Sequence, residues 1–113
     1  MTNQLQQKLI DLRNTHELDM THVAVVVNID KTIIHVRDKQ VWYDNRYNAL
    51  GLHTERVGYH ITTQELLNVM SFHQNDDCVI DSNGRTYDIE IENIKYIAVD
   101  GTHVIVIPGK LRG

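Results

Sequence analysis

The stretch CVIDSNGRTYDIEIENIKYIAVDGTHVIVIP, residues 78–108, decides the fold. It contains two dipeptides, Asn83-Gly84 and Asp100-Gly101, each placed between runs rich in β-branched residues. Asn-Gly and Asp-Gly tolerate positive φ at both centres of a two-residue type I′ turn, the connection that joins many antiparallel strand pairs. The stretch therefore predicts two consecutive β-hairpins with their tips at these dipeptides.

The first predicted hairpin separates apolar side chains from charged ones. A two-residue turn pairs Ile80 with Tyr87 and Cys78 with Ile89 on one face of the ribbon. The carboxylates fall on the opposite face, and they are Asp81, Asp88, Glu90 and Glu92. We expect this acidic strand face to bind a basic partner protein.

The second predicted hairpin has apolar residues on both faces. One face carries Ile97, Val99, Val104 and Val106, and the other carries Ile94, Tyr96, Ala98, Ile105 and Ile107. Because both faces need cover, the hairpin is predicted to lie centrally in a sheet or at the contact of a homodimer. Pro108 and Gly109 are predicted to end its last strand, since proline cannot donate to a ladder.

The N-terminal part of the chain predicts a helix followed by a meander. Leu5, Leu9, Leu12 and His16 have the spacing of one helical face, which predicts an amphipathic helix from residue 3 to about residue 20. The apolar run at residues 22–29 predicts a central strand that is buried on both faces. Residues 33–37 and 41–43 predict two further strands, separated by a turn at residues 38–40.

The middle of the chain predicts a long loop and a second helix. Residues 44–59 have no clear period, and loops of that length are commonly functional. Thr62 and Glu65 have the spacing of a capping box, and Ile61 and Leu66 that of a hydrophobic staple, which predicts a helix over residues 63–73. The order of elements predicts a single α+β domain over residues 1–113, with two helices and a mostly antiparallel sheet of about six to seven strands.

The charge of the chain is unevenly distributed. Its net charge is −4, and residues 65–100 carry eight acids against two bases, Arg85 and Lys95. Such a surface repels phosphate backbones and attracts basic proteins. We find no pattern of a signal peptide and no apolar run long enough for a membrane helix, so a cytoplasmic location is expected. The single cysteine, Cys78, is predicted to be a buried and inert thiol.

Catalytic and metal chemistry have little support in the sequence. The seven histidines are scattered over different predicted elements, without the i, i+4 pair or the cysteine pair of a zinc site. No nucleophile elbow, phosphate loop or nuclease-type spacing of acids and lysine occurs. We therefore expect no catalytic residue, no metal and no cofactor. The alternative is a small enzyme whose histidines and carboxylates meet only in the fold, with His53 and His60 as the pair nearest to the long loop.

Residues 31–59 interleave basic and aromatic side chains, a mixture that binds bases by stacking and phosphates by charge. Neighbouring acids cancel most of this positive charge. A ligand site, if the loop forms one, is predicted around Arg46, Tyr47, His53, Arg56 and Tyr59. The alternative function that follows is nucleic-acid or nucleotide binding.

One run of sequence resembles known families. GRTYDIEIENIKYIAVDG, from Gly84 to Gly101, is similar to the opening strands of LytTR-type DNA-binding domains and, more loosely, to strands of Sm-like small barrels. The resemblance covers less than a third of the chain, and it implies antiparallel hairpins and a nucleic-acid ligand. The acidic strand face departs from what a phosphate-binding surface needs.

The leading hypothesis is therefore a small non-enzymatic interaction or regulatory protein. We expect an inhibitor or accessory protein of the kind that phages and mobile elements carry. Its acidic strand face would bind a basic partner, for example a nucleic-acid-binding protein, and its second hairpin would support homo-oligomerisation.

Overall fold

The computed structural model describes residues 2–44, 49–55 and 61–112. These form two α-helices and seven β-strands, which confirms the predicted α+β class. The elements are α1 (Thr2–His16), β1 (Ala24–Ile29), β2 (Thr32–Asp44), β3 (Ala49–Glu55), α2 (Thr63–Met70), β4 (Asp77–Ser82), β5 (Arg85–Ile89), β6 (Lys95–Val99) and β7 (Thr102–Leu111). Short 3₁₀ turns cover Met20–His22 and Ile91–Asn93. No helix in the described ranges is long and apolar enough to cross a membrane.

The sheet closes on itself. Its strand order is β1-β2-β3-β4-β5-β7-β6, and β1 also pairs with β7. Six strands therefore form a closed ring, while β6, as far as the described residues show, pairs with β7 alone. The β1–β7 and β3–β4 pairs are parallel and the other pairs are antiparallel, so the sheet is mixed although mostly antiparallel.

The core lies on the inward face of this ring. Each ring strand contributes buried side chains to one cluster, among them Val27, Val36, Leu52, Ile80, Tyr87 and Ile107. Helix α1 adds Leu5 and Leu9, which are one turn apart and fully buried, and α2 adds Leu66, Leu67 and Met70. Full burial of one such side chain contributes about 1.5–3 kcal/mol, so packing on the ring stabilises helices that would be marginal alone.

Both predicted hairpins are confirmed. Asn83 and Gly84 have φ of 51° and 75°, and Asp100 and Gly101 have φ of 51° and 78°, as type I′ turns require. Ile80 is in register with Tyr87, as the turn predicted. In the second hairpin β7 is central, because it pairs with β1, β5 and β6, whereas β6 lies at an edge.

The predicted turn at residues 38–40 is wrong. Strand β2 continues through it, and its register with β3 shifts between Val36 and Val41. Four residues of β2, 37–40, lie there opposite a single residue of β3, the one between Thr54 and Leu52. A bulge-like irregularity thus accommodates the polar triplet without ending the strand.

The predicted loop at residues 44–59 is also wrong in its centre, where β3 lies between β2 and β4. Its alternating residues Leu50 and Leu52 are fully buried in the core. Ala49 and Gly51, which flank Leu50, are residues with low β propensity, so the local sequence carries no clear strand signal here.

Both helices are shorter than predicted. Helix α1 ends at His16 because Glu17 has a φ of 53°, and the N–H of Leu18 then donates to the carbonyl of Arg13 in a Schellman-type closure. Helix α2 ends at Met70. Its predicted N-cap is confirmed, since the Thr62 hydroxyl accepts from the Glu65 N–H at 3.2 Å.

Pro108 does not end the last strand, which runs on to Leu111. The carbonyl of Pro108 accepts the N–H of Glu90 at 3.0 Å, but proline has no N–H with which to return a bond. The missing donor falls where β5 ends, so the partner strand is interrupted there and β7 continues.

Candidate functional site: an acidic cleft

The four predicted acidic residues occupy two kinds of structure. Asp81 lies on β4 and Asp88 on β5, as predicted. Glu90 immediately precedes the 3₁₀ turn Ile91–Asn93 and Glu92 lies within it, so the prediction of a common strand face is wrong for these two. Asp88 and Glu92 are exposed, and Glu90 is half-buried.

Three of these acids and one more surround a single cleft. Asp88, Glu90 and Glu92 line it together with Asp77, and its volume is about 460 Å³. We call it the acidic cleft. Its remaining lining is Gln4, Leu5, Cys78, Ile89 and Ile91, and as far as the structure describes the chain it contains no lysine or arginine.

The first turn of α1 forms one wall of the acidic cleft because its backbone is bound to the segment before β4. The N–H of Thr2 donates to the carbonyl of Asp76 at 2.9 Å, and that of Asn3 donates to the carbonyl of Gln74 at 3.2 Å. The start of a helix carries a partial positive charge. Its position beside Asp77 therefore helps to offset the repulsion among the carboxylates.

The floor of the acidic cleft is apolar. Leu5 is fully buried and Cys78 is 6% exposed. Burial raises the pKa of the Cys78 thiol to about 12, and the nearby charge of Asp77 acts in the same direction. The thiol is therefore neutral at physiological pH and is not an activated nucleophile.

Arg112 neutralises only one side of the acidic cleft. Its Nε donates to Asp88 at 2.9 Å, its Nη2 donates to Asp77 at 3.1 Å, and Nη2 also contacts Asp88. Lys110 is in register with Asp88 on the neighbouring strand. The hydrogen bond with Asp88 raises the pKa of Arg112, although at this exposure such pairs contribute only about 0.2–1 kcal/mol each.

Among the described residues, Glu90 and Glu92 have no counter-charge. Within the part of the chain that the structure describes, neither forms an ion pair. The side-chain amide of Asn93 donates to Glu90 at 3.2 Å and fixes the position of that carboxylate. These two residues are the available anions of the acidic cleft.

Asp81 does not join the acidic cleft. One of its carboxylate oxygens accepts the Thr86 hydroxyl at 3.4 Å, and its backbone carbonyl accepts the Thr54 hydroxyl at 3.3 Å. Its role here is to connect neighbouring strands. Sequence reasoning missed Asp77 and Arg112. Asp77 precedes the predicted hairpin stretch, which begins at Cys78, and Arg112 lies beyond the predicted end of the last strand.

A second group of polar rings forms elsewhere, where α1 ends near β6 and β7. The Tyr96 hydroxyl bonds with Nδ1 of His103, and the rings of His16 and Tyr96 have centroids 4.9 Å apart. His22 contacts Asp19 at 2.9 Å, and the pKa of Asp19 is lowered chiefly by its hydrogen bond from the Thr21 side chain. No group of three or more potential metal ligands occurs among the described residues.

The predicted loop site cannot be assembled from these elements. His53 belongs to β3, where its backbone is in register with Asp81. The other predicted members, Arg46, Tyr47, Arg56 and Tyr59, lie outside the described residues, and so does His60. Nucleotide binding by this segment and a histidine-based enzyme site stay predictions.

Comparison of the chain with models of protein families, with curated proteins and with solved structures gave no match.

Proposed function

We propose that this protein is a non-enzymatic interaction protein that binds a basic segment of a partner protein in the acidic cleft. One observation supports this more than any other: Glu90 and Glu92, which form no ion pair among the described residues, line a cleft whose floor is apolar. An anionic rim over an apolar floor is complementary to a long cationic side chain.

Arginine is the side chain that fits this arrangement best. Its aliphatic stem would pack on the floor formed by Leu5, Ile89 and Ile91, and its planar guanidinium can donate two parallel hydrogen bonds to one carboxylate. Arg112 already forms ion pairs with Asp77 and Asp88. An incoming arginine would therefore bind mainly to Glu90 and Glu92.

The biological role proposed for such a surface is that of a small inhibitor or accessory protein, of the type found in phages and mobile elements, acting in the cytoplasm. Proteins that bind nucleic acid carry basic grooves, so a nucleic-acid-binding protein is the proposed class of partner. Occupation of such a groove by the acidic cleft would exclude the nucleic acid.

Binding of defined peptides tests the proposal. A fluorescein-labelled peptide of alternating arginine and alanine is expected to bind, and the same peptide with citrulline for arginine, which has the shape without the charge, is not. Replacing Glu90→Gln and Glu92→Gln together should weaken binding about tenfold, because two charge pairs are lost. Fluorescence anisotropy at 50 and 500 mM salt gives both the affinity and its expected salt dependence.

The matched control changes the same number of charges away from the acidic cleft, with Glu17→Gln and Asp30→Asn. Both residues are exposed, and asparagine tolerates the φ of 50° at position 30. Equal weakening by the control pair would show that only net charge matters and would refute the cleft as the site. Steep, salt-dependent binding of labelled single-stranded DNA instead of the peptide would favour the nucleic-acid alternative.

A further inference from the structure

We infer that two copies of this chain associate through the free edge of β6, antiparallel and about a two-fold axis at Ile97. The closed ring leaves β6 as the described strand that pairs on one side only, with β7. A strand edge with unpaired N–H and C=O groups is a template for another strand. This inference is independent of the acidic cleft.

The two-residue turn fixes which backbone groups of β6 are free. Residues that flank a type I′ turn form a hydrogen-bonded pair, here Val99 with Thr102, so Val99, Ile97 and Lys95 bond to β7. The N–H and C=O groups of the alternate residues, Tyr96 and Ala98, therefore point away from β7. These four groups form the binding edge.

A second copy is the partner that matches this edge. When two β6 strands run antiparallel with Ile97 opposite Ile97, Tyr96 of each copy lies opposite Ala98 of the other. All the outward donors then meet outward acceptors, in two hydrogen-bonded pairs. A two-fold interface of this kind is self-complementary, as isologous dimers require.

The charges at the two ends of β6 also favour a second copy that runs antiparallel. Lys95 begins the strand and Asp100 follows it, and both side chains are exposed. Antiparallel pairing about Ile97 places Lys95 of one copy opposite Val99 of the other, one residue from Asp100, and does so twice. Parallel pairing would place lysine beside lysine.

The edge carries few of the features that usually prevent such contacts. The single proline of the chain is Pro108, and the register of β6 with β7 is unbroken from Lys95 to Val99. Lys95 is the one charged residue of the strand. Natural edge strands are commonly blunted by proline, bulges or several charges.

The dimer is expected to be weak, because a five-residue edge buries far less than the roughly 1,600 Å² of a standard interface. Half of the protein should be dimeric at about 0.1 mM. Sedimentation equilibrium over about 10 µM to 1 mM measures this association. Ala98→Pro removes an outward N–H without removing a bond to β7, and it should weaken association about tenfold.

A charge exchange gives a second test that keeps the backbone intact. Lys95→Glu alone and Asp100→Lys alone should each weaken self-association about threefold, whereas a mixture of the two variants restores opposite charges at both contacts and should associate as the unchanged protein does. Lysine is tolerated at positive φ in this chain, as Lys31 with a φ of 66° demonstrates. Circular dichroism and thermal unfolding check that each variant is folded.

Three results would overturn the inference. They are a protein that stays monomeric up to 1 mM, an Ala98→Pro variant that dimerises as well as the unchanged chain, and a mixture that associates no better than its separate components. A monomer would leave the edge available to a strand of a different protein. Peptide binding at the acidic cleft is expected to be equal in all these variants, so failure of one proposal does not decide the other.

Discussion

Pro108 positions the two carboxylates on which the proposed function depends. Because proline has no N–H to return the bond from Glu90, β5 stops at Ile89 and the chain enters a 3₁₀ turn. This turn carries Glu90 and Glu92 away from the strand face, where Arg112 and Lys110 would otherwise offset their charge. Sequence alternation assigned both acids to a strand, because the interruption originates in Pro108, which lies 18 positions after Glu90.

The thiol of Cys78 makes stability depend on pH. Burial, with the charge of Asp77 as a second cause, raises its pKa from 9.0 to about 12 in the folded protein. Between these values the unfolded chain releases a proton that the folded protein keeps, so the free energy of unfolding falls as pH rises above about 9. The Cys78 thiol should therefore contribute about 1.4 kcal/mol less to the free energy of unfolding at pH 10 than at pH 8.

Urea unfolding of the unchanged protein and of Cys78→Ala measures this effect. The free energy of unfolding of the unchanged protein should decrease more with pH than that of the variant, which has no thiol. If the free energy of unfolding changes equally with pH in both proteins, the Cys78 thiol is not buried as described. A thiol reagent should also label the native protein far more slowly than the urea-unfolded chain.

Strands with a strong local signal could be predicted, and strands without one could not. The hairpins β4–β5 and β6–β7 follow from Asn83-Gly84 and Asp100-Gly101, because the turn chemistry acts within four residues. Strand β3 has no such turn signal, and its partner β4 is parallel, so more than twenty residues separate the paired positions Leu50 and Cys78. Parallel partners need a crossover, and no local pattern indicates which strand the crossover reaches.

Gly109 allows β7 to approach the inner face of the first hairpin. A Cβ at this position would lie 3.0 Å from Cδ1 of Ile80 and 3.1 Å from Cβ of Tyr87, which is closer than ordinary packing allows. Gly109→Ala should therefore lower the free energy of unfolding by about 1–3 kcal/mol. Urea unfolding at neutral pH measures the loss.

A double-mutant cycle identifies the cause of that loss. Ile80→Val removes the Cδ1 atom that the new methyl group would meet, and alone it should cost about 0.5–1.5 kcal/mol. The two substitutions together should cost less than the sum of the separate losses, because the clash is partly relieved. If the loss in the double variant equals the sum of the two separate losses, Gly109 is required for a reason other than the contact with Ile80.

The closed ring is the feature of the whole molecule that sequence could not predict. Val27 of β1 is in register with Ile107 of β7, 80 residues later in the chain, and both side chains are fully buried. The apolar runs of β1 and β7 correctly predicted buried strands. Burial of a strand on both faces is nevertheless compatible with many strand orders. The positions of Glu90 and Glu92 depend on this closure, because β7 brings Pro108 and Arg112 to the end of β5.

Ring closure also predicts how the molecule folds. Pairing of β1 with β7 requires a loop of about 80 residues to close, whereas Ile80 and Tyr87 pair across a two-residue turn. The entropy of closing the long loop is lost before its contacts form, so closure should follow hairpin formation, with folding in milliseconds to seconds. Ile80→Val should therefore slow refolding, and Ile107→Val, the same change at the closure, should mainly accelerate unfolding. Stopped-flow refolding and unfolding in urea separates these effects, and a refolding rate that is reduced more by Ile107→Val than by Ile80→Val would place ring closure before the hairpin.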